Sequence, residues 1–357
     1  MDISSTRLLN QRLIGKKFDT PGEAPSYFGA IQSQDFSGAK WSLGIRTKNS
    51  TNSDVMRAYN EGAILRTHIM RPTWHFVAPS DIRWMQKLTS SRVKALMGHY
   101  NRKLELTDQV FAKSNTLITK ALQNHNFLTR QELKKELENA KILTDTQRLA
   151  HLLIWAELES IITSGPMNGK QFTYALLDER IAKTKEISRE ESLSKLTLKY
   201  FQSHGPAQVK DFAWWSGLTI KDANEGISMV DSKLSNETVN GKTYWFLKDS
   251  RSILEMQTVF LLSVYDEYFI GYTDRSDILK EQHKKVLPVG NALLTSLLII
   301  EGKVAGTWKR NIRKNSVDFT ITPFKKMNVK IKEGIEEETK KYATFFGYES
   351  TSIIFEE

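Results

Sequence analysis

Two glutamines separated by a single residue, Gln32 and Gln34, are the first candidates for chemistry in this sequence. A glutamine is no general base near neutral pH, but its carbonyl accepts a hydrogen bond from water and its NH₂ donates one, so a pair can orient a water or a sugar. Residues two apart share no helix face, so both can serve one site only if the helix ends there. Asp35, followed by Ser37 and Gly38, is consistent with such an end. Surface glutamines remain the commoner explanation of this pattern taken alone.

Two adjacent acids, Asp266 and Glu267, stand between Tyr265 and Tyr268. The aromatic composition predicts a strand over 267–272, and neighbouring residues of a strand face opposite sides. The two carboxylates are therefore a poor acid and base pair. At most one of them can serve a site, and a structural cap is the alternative for either.

Metal and cofactor chemistry finds little support. The chain has no cysteine, which excludes thiolate metal sites, cysteine nucleophiles and disulfides. It contains no P-loop, no glycine-rich dinucleotide turn and no Gly-x-Ser-x-Gly motif. His68 and His75 bracket a predicted hairpin and could approach each other, but no carboxylate lies at ligand spacing, so packed or DNA-facing roles are favoured over a metal. We expect neither a metal nor a cofactor.

A repeated order of elements positions these candidates. Residues 123–133 align on 202–212 with few identities, but in both segments a helix ends, a short extended link follows and another helix begins. The later copy predicts helices over 192–203, 207–215 and 219–229 and then a hairpin, whose turn Asn240-Gly241 is the strongest two-residue hairpin signal. Three helices followed by a hairpin are typical of a winged helix-turn-helix.

The same order is predicted twice more. The earlier copy has helices over 108–123, 129–138 and 144–163 and a strand over 171–175, with Thr129 and Glu132 as a capping box. The first hundred residues predict helices over 5–13, 21–32 and 53–59, the last capped by Ser53, then strands over 63–69 and 73–77 and a helix over 79–92. After residue 249 the pattern predicts strands over 257–264, 267–272, 303–309 and 316–322 and one helix over 334–346.

We therefore predict an α+β protein of tandem winged helix-turn-helix repeats with a C-terminal β-rich domain. Its length of 357 residues, with 40% apolar residues, suits several compact units. The predicted domains are 1–105, 106–185 and 186–250, each a winged helix, and 251–357, the β-rich domain.

The charge of the chain favours a polyanionic partner. Lys and Arg total 51 against 41 Asp and Glu, a net charge of +10. The third helices argue against ordinary major-groove docking, because residues 148–159 are largely apolar and 219–229 offer one base against two acids. Sequence-independent contact with the phosphates of duplex DNA fits better.

Basic residues gather in the first hairpin and in the C-terminal strands instead. The first group is Arg66, His68 and Arg71; the second is Lys309, Arg310, Arg313, Lys314, Lys325, Lys326, Lys330 and Lys332. Residues two apart in a strand share a face, so Lys330 and Lys332 are expected to point the same way. The alternative is that surface strands carry lysine to block edge pairing.

The N-terminus has neither a basic nor an apolar signal region, and the longest apolar run, 292–300, is about half a bilayer span. We expect a cytoplasmic, nucleoid-associated monomer that makes no membrane contact.

Five segments resemble the successive motifs of the AlkZ/YcaQ family of winged-helix DNA glycosylases, in the same order and over nearly the whole chain. They are Gln32-Ser33-Gln34-Asp35, residues 66–77, Gly205-Pro206 with residues 211–218, Tyr265-Asp266-Glu267-Tyr268, and residues 302–309. The family's motif usually has an aliphatic residue at the position of Ser33, and a sister branch has Asp at the position of Gln34.

The resemblance implies three tandem winged helices and a β-rich element that form a C-shaped clamp around duplex DNA. It also implies hydrolysis of the N-glycosidic bond of alkylated purines, including crosslinked ones, with Gln32 and Gln34 positioning the water. An N7-alkylated purine is already cationic and leaves without a proton, so orientation of water suffices. Because a crosslinked base cannot be flipped into a deep pocket, the site should be an open cleft.

We predict a monofunctional DNA glycosylase for cationic N-alkyl purines, with Gln32 and Gln34 as its catalytic residues. The alternatives are a non-catalytic DNA-binding or regulatory winged-helix protein and a protein-interaction scaffold. Arg71, Trp74 and His75 are expected near the cleft. The predicted DNA-binding residues are Arg66, His68, Arg71, Trp74, His75, Lys309, Arg310, Arg313 and Lys314.

Overall fold

The first hundred residues build a three-stranded antiparallel sheet between helices. In the computed structural model, which describes residues 2–248, 258–284, 287 and 295–356, the sheet order is β1-β3-β2. The elements are α1 (Ile3–Asn10), α2 (Glu23–Phe28), β1 (Ala30–Gln32), α3 (Phe36–Gly44), α4 (Asn52–Glu61), β2 (Leu65–Ile69), β3 (Arg71–Val77) and α5 (Ile82–Lys103).

The predicted helix over 21–32 is wrong in its second half. Helix α2 ends at Phe28, Gly29 follows at φ 90°, and the chain then pairs Ala30 with Val77 of β3 as a strand. A glycine tolerates this positive φ, which lets the helix end abruptly. Gln32 consequently lies in a sheet.

Two capping details of this region also differ from the prediction. Asp35 accepts a hydrogen bond from the backbone of Gly38 and begins α3, a helix that was not predicted. Thr51, and not Ser53, caps α4, because Thr51 and Asp54 form a reciprocal capping box. Asp35 therefore marks a helix start directly after the two glutamines.

The second unit follows the predicted order. Its elements are α6 (Asp108–Leu122), β4 (Leu128–Thr129), α7 (Arg130–Asn139), α8 (Arg148–Leu158), β5 (Ile162–Ser164), β6 (Thr173–Leu176) and α9 (Leu177–Arg180). The predicted helix over 144–163 is too long, because its last residues form β5 and pair with β6. The capping box of Thr129 and Glu132 is confirmed.

The third unit agrees most closely with the sequence patterns. Its elements are α10 (Arg189–His204), α11 (Val209–Ser216), α12 (Ile220–Met229), β7 (Leu234–Val239) and β8 (Lys242–Leu247). Asn240 and Gly241 both have positive φ, at 51° and 74°, as a type I′ turn requires, and the two strands pair in register around them.

The C-terminal part contains a five-stranded sheet of order β13-β12-β11-β10-β9. Its elements are β9 (Val259–Leu262), α13 (Glu267–Ile270), α14 (Glu281–Lys284), β10 (Leu297–Ile300), β11 (Lys303–Ile312), β12 (Ser316–Pro323), α15 (Val329–Phe346) and β13 (Ser350–Phe355). Strands β10 and β13 were not predicted. The residue pair at the predicted boundary 250/251, like residue 257 of the predicted first strand, lies outside the described residues.

Two predictions for this part are wrong. Residues 267–272 do not form a strand, because the Asp266 carboxylate accepts from the Tyr268 backbone N–H at 2.9 Å and starts the helical turn α13. Lys330 and Lys332 lie in helix α15, where residues two apart do not share a face.

Two apolar clusters meet at β1. Ala30 belongs to a cluster with residues of β3, α5 and the helices α10 to α12, whereas Ile31 belongs to one with α3, α15 and the C-terminal sheet. The strand that carries Gln32 is therefore held between two cores. The fold is mixed α+β, as predicted. None of the helices in the described part of the chain is both long and apolar enough to cross a membrane.

Candidate active site

Gln32 is fixed by its neighbours on both edges of β1. On the sheet side, Gln32 stands opposite His75 of β3. On the other side no strand of the described residues pairs with β1, and the backbone N–H of Gln32 donates to Oε1 of Glu267 at 2.8 Å. A contact between residues 235 positions apart thus closes the edge of the sheet. The side chain of Gln32 is 7% exposed, and its position is set by the backbone on which it stands.

Glu267 is itself held by the third unit. Its Oε2 accepts from the indole Nε1 of Trp215 at 2.9 Å and lies 3.2 Å from Nε2 of His204. Only 1% of Glu267 is exposed. The strong hydrogen bonds of this buried carboxylate make it a rigid support for Gln32.

Asp266, the neighbouring acid, has a different role. It faces Arg46, whose Nη1 and Nη2 donate to Oδ2 and Oδ1 at 2.8 Å each, and it caps α13. Burial would raise the pKa of Asp266, but Arg46 and the hydrogen bonds to the carboxylate bring it below its usual range. The expectation that at most one acid of this pair serves a site stays a prediction: Glu267 contacts Gln32, whereas Asp266 caps α13 and pairs with Arg46.

His75 is a buried neutral acceptor beside Gln32. Its Nδ1 lies 2.9 Å from the carbonyl of Thr73, a geometry that assigns the proton to Nδ1 and the lone pair to Nε2. Burial, reinforced by the charge of Arg71, holds the pKa of His75 well below its usual range, so the ring is neutral at pH 7. Within the described residues Nε2 makes no hydrogen bond, and neither does the buried Oε1 of Gln32.

More polar atoms without partners continue along this face of β3. Residues 71, 73 and 75 share the face because they alternate along the strand. Nε and Nη2 of Arg71 and Oγ1 of Thr73 are buried and, among the described residues, make no hydrogen bond. The guanidinium of Arg71 lies 4.6 Å from the ring centroid of Trp214, which Arg275 also approaches at 5.6 Å. Each unpaired buried polar atom costs about 1–3 kcal/mol, so such a cluster is a candidate for binding.

Gln34 stands at the exposed end of the same segment. Its Oε1 accepts from the backbone N–H of Trp74 at 3.3 Å, and the preceding Ser33 N–H donates to the Trp74 carbonyl at 2.8 Å. The side chain is exposed, in contrast to that of Gln32. Gln32 therefore lies at the buried end of the segment and Gln34 at its exposed end, and both contact residues of the β2–β3 hairpin.

The opposite face of the hairpin carries Arg66, His68 and the ring of Trp74. Arg66 donates through Nε and Nη2 to the Ser33 carbonyl at 3.2 and 3.0 Å, and its guanidinium lies 4.3 Å from the Trp74 ring. His68 is buried against Glu157 of α8, and its Nδ1 is hydrogen-bonded to Oε2 of the Glu157 carboxylate. The structure thus separates the predicted DNA-binding residues of this hairpin into two sets on opposite faces.

The C-terminal hairpin of β11 and β12 brings further basic residues towards this region. Nη2 of Arg310 lies 3.4 Å from Oγ of Ser37, three residues after Gln34. Lys309 and Lys314 are exposed, and exposed Arg313 pairs with Asp318 at 2.7 Å. Of the predicted C-terminal set, Arg310 contacts the start of α3, which follows the two glutamines directly.

Four residues of this region escaped the sequence interpretation: His204, Trp214, Trp215 and Arg275. The segment Asp211-Phe212-Ala213-Trp214-Trp215 was quoted for the resemblance, and its two tryptophans were the available signal. No group of three His, Cys, Asp or Glu side chains in the described ranges could hold a metal ion. The arrangement offers neutral acceptors and amide donors at one buried point, beside an arginine.

Comparisons with known proteins agree on one family. The DNA glycosylase AlkZ-like family matches residues 27–345. A curated relative, the interstrand DNA cross-link repair glycosylase of Streptomyces sahachiroi, is 18% identical over 82% of this chain and 82% of its own. The solved structure of the Streptomyces sahachiroi DNA glycosylase AlkZ superposes with a TM-score of 0.80 at 18% identity and covers 99% of this chain and 98% of that one. The chain belongs to the AlkZ-like DNA glycosylase family.

Proposed function

We propose that this DNA glycosylase hydrolyses the N-glycosidic bond of cationic N-alkylated purines in duplex DNA, with Gln32 and Gln34 placing the water. The observation that supports it is the pair of buried acceptors, Gln32 Oε1 and His75 Nε2, which stand on facing residues of two strands and make no hydrogen bond to the described residues. Facing residues of an antiparallel pair lie about 5 Å apart at Cβ, close enough for one water to bridge their side chains.

The chemistry needs orientation more than acid or base strength. An N7-alkylated purine carries a positive charge and departs without protonation, leaving a sugar that resembles an oxocarbenium ion. Gln32 Oε1 and the neutral His75 Nε2 accept the two hydrogens of a water and turn its lone pair towards the anomeric carbon. As the C–O bond forms, one O–H bond of that water breaks and its proton passes to the surrounding solvent. Gln34, at the exposed mouth, offers its NH₂ to the sugar-phosphate backbone or to the same water. Glu267 acts through the backbone of Gln32 and is a positioning residue.

The finer architecture belongs to the same proposal. The units 1–105, 106–185 and 186–250 are interpreted as tandem winged helices and 251–357 as the β-rich domain that completes a clamp around DNA. The repeated order of helices and hairpins supports this interpretation. A monomeric, cytoplasmic and nucleoid-associated protein without a cofactor is proposed with it.

The proposed DNA contacts follow from exposure. Lys309, Arg310, Arg313 and Lys314 line the C-terminal hairpin and would hold phosphates, while Arg71 and His75 share the face of β3 beside Gln32. The ring of Trp74, expected near the cleft, lies instead on the opposite face of the hairpin with Arg66. Arg66 and His68, which are buried and already bonded, would support the hairpin from behind. Phosphate contacts of this kind predict binding that weakens as the salt concentration rises.

The name of the Streptomyces relative includes interstrand cross-link repair. We extend the proposed substrates to crosslinked purines for this chain as well. An unhooking assay on a duplex with a single N7-guanine crosslink tests this extension separately from the assay on monoalkylated DNA.

The main test is release of N7-methylguanine from duplex DNA under single-turnover conditions. Gln32→Ala and Gln34→Ala should each slow release about 100-fold, because a misplaced water loses its alignment with the sugar. Gln109→Ala, which changes an exposed glutamine of α6, is the matched control and should release the base at the wild-type rate. Salt-sensitive binding with no release by the wild type would instead support the non-catalytic DNA-binding alternative.

A further inference from the structure

A cavity of about 350 Å³ opens on the face of the β2–β3 hairpin opposite Gln32 and His75. It lies between the first and second units, and both units contribute aromatic side chains to its walls. The residues that carry the argument are Tyr59, Arg66, Trp74, Phe172 and Tyr174. Nothing in the mechanism above uses this cavity.

The cavity is built around a fixed guanidinium. Two hydrogen bonds from Arg66 to the Ser33 carbonyl, at 3.2 and 3.0 Å, hold the group in place. Its centre lies 4.3 Å from the ring centroid of Trp74 and 4.7 Å from that of Phe172. A planar cation between two aromatic rings offers stacking surfaces and charge to a flat ligand.

The mouth of the cavity is basic and polar, while Phe172 forms part of its rim at 36% exposure. Four exposed side chains surround it: Arg130, Gln131, Lys170 and Gln171. Two positive charges and two amides at the entrance of an aromatic cavity match the chemistry of a nucleotide, which pairs a flat base with an anionic phosphate.

The cavity also adjoins the segment of the two glutamines. The Trp74 residue whose ring lines it donates its backbone N–H to Oε1 of Gln34 at 3.3 Å. Phe36, two residues after Gln34, contacts Phe172 edge to face at 4.9 Å between ring centroids. A DNA strand that passes Gln34 therefore passes the entrance.

We propose that this cavity binds an unpaired nucleobase of the DNA, next to the lesion at which the two glutamines place the water. The inference rests on the proposed function, since it takes DNA as the substrate. Stacking on the exposed ring of Phe172 would accept any of the four bases, because every base has a π face. A base held there would be displaced from the helix and leave the neighbouring glycosidic bond more open to water.

The test compares two duplexes of equal length, one fully paired and one with a single unpaired 2-aminopurine, whose fluorescence falls on stacking. Wild-type protein should bind the unpaired duplex about tenfold more tightly and quench its fluorescence, as one base stacked on aromatic rings predicts. Phe172→Ala should remove both effects. The matched control is Phe127→Ala, which removes a phenylalanine of similar exposure, 38%, that does not line the cavity.

Three results would overturn the proposal: equal binding of both duplexes by the wild type, an undiminished preference in Phe172→Ala, or loss of the preference in Phe127→Ala. A further duplex, fully paired, carries a benzyl group on N7 of one guanine. If Phe172 raises the affinity for this duplex alone, the cavity binds the alkyl substituent and the nucleobase proposal is rejected. Release of N7-methylguanine is measured alongside. If the protein prefers the unpaired duplex but releases no N7-methylguanine, the proposed function is rejected and the nucleobase cavity is supported. If it releases N7-methylguanine but shows no preference for the unpaired duplex, the cavity proposal is rejected and the proposed function is supported.

Discussion

The two faces of the β2–β3 hairpin present the same residue types in opposite states. On one face His68 is bonded to Glu157 and Arg66 to a backbone carbonyl. On the other, within the described residues, His75 Nε2 and two nitrogens of Arg71 make no hydrogen bond although they are buried. Satisfied polar groups stabilise a fold, whereas buried groups without partners weaken it and are kept for what they bind. We therefore assign stability to the bonded His68 and Glu157 of the first face and chemistry to the second face.

Replacement of His68 should have the largest effect, and on folding. His68→Ala leaves the Glu157 carboxylate buried without its partner and opens a cavity, so we expect a loss of about 3 kcal/mol in the free energy of unfolding. Urea denaturation followed by circular dichroism measures it. The rate of base release per folded molecule should stay close to wild type. A stable but inactive variant would contradict the division between the faces.

His75 should show the reverse behaviour. His75→Leu removes the Nε2 acceptor and should slow base release about 100-fold, equivalent to about 2.7 kcal/mol in the activation free energy. Stability should change by only about 1 kcal/mol, because Nε2 makes no hydrogen bond to the described residues and the hydrogen bond that is lost is the one from Nδ1 to the Thr73 carbonyl. His75→Gln returns an acceptor near the same place and should recover part of the rate. If His75→Leu releases the base normally, the water is held elsewhere.

The pH dependence of the free energy of unfolding tests separately that His75 is buried in its neutral form. Because burial holds the pKa of His75 below its value in the unfolded chain, about 6.5, the unfolded state takes up a proton first as the pH falls. The contribution of the neutral ring is complete above about pH 6.5 and is lost progressively below it. His204 and His151 also have lowered pKa values because of burial and add to this slope. His75→Gln should flatten the slope between pH 7.5 and 5.5, as measured by urea midpoints.

The sequence predicts local elements of the fold better than the contacts that build the site. Capping boxes and the Asn240-Gly241 turn are chemical signals within a few residues, and the structure contains both. Strand β1 has three residues, too few for a periodic pattern, and forms because Ala30 finds Val77 across the sheet. The motif Gln32-Ser33-Gln34-Asp35 was therefore identified before its geometry could be known.

Contacts distant in sequence were beyond the same reasoning. The alternation rule limited the role of Asp266 and Glu267 to one of the two, although residues 267–272 turned out not to be a strand. The rule could not say which acid lies beside the glutamines, because Glu267 contacts Gln32 and Asp266 contacts Arg46, and both partners are more than two hundred residues away. Packing of the C-terminal part against the first unit decides it.

Each face of the β2–β3 hairpin has one buried glutamate beside it, so the same substitution at Glu267 and at Glu157 tests the difference between the faces with the smallest chemical change. Glu267→Gln keeps an acceptor oxygen for the Gln32 N–H but turns an NH₂ towards the Trp215 indole N–H, so two donors face each other. The resulting shift of Gln32 should slow base release about tenfold, or about 1.4 kcal/mol. Glu157→Gln makes the same chemical change on the other face and is the matched control: it should lower the urea midpoint and leave the single-turnover rate unchanged. Equal losses of rate in both variants would mean that the two faces act as one unit and that stability and chemistry are not divided between them.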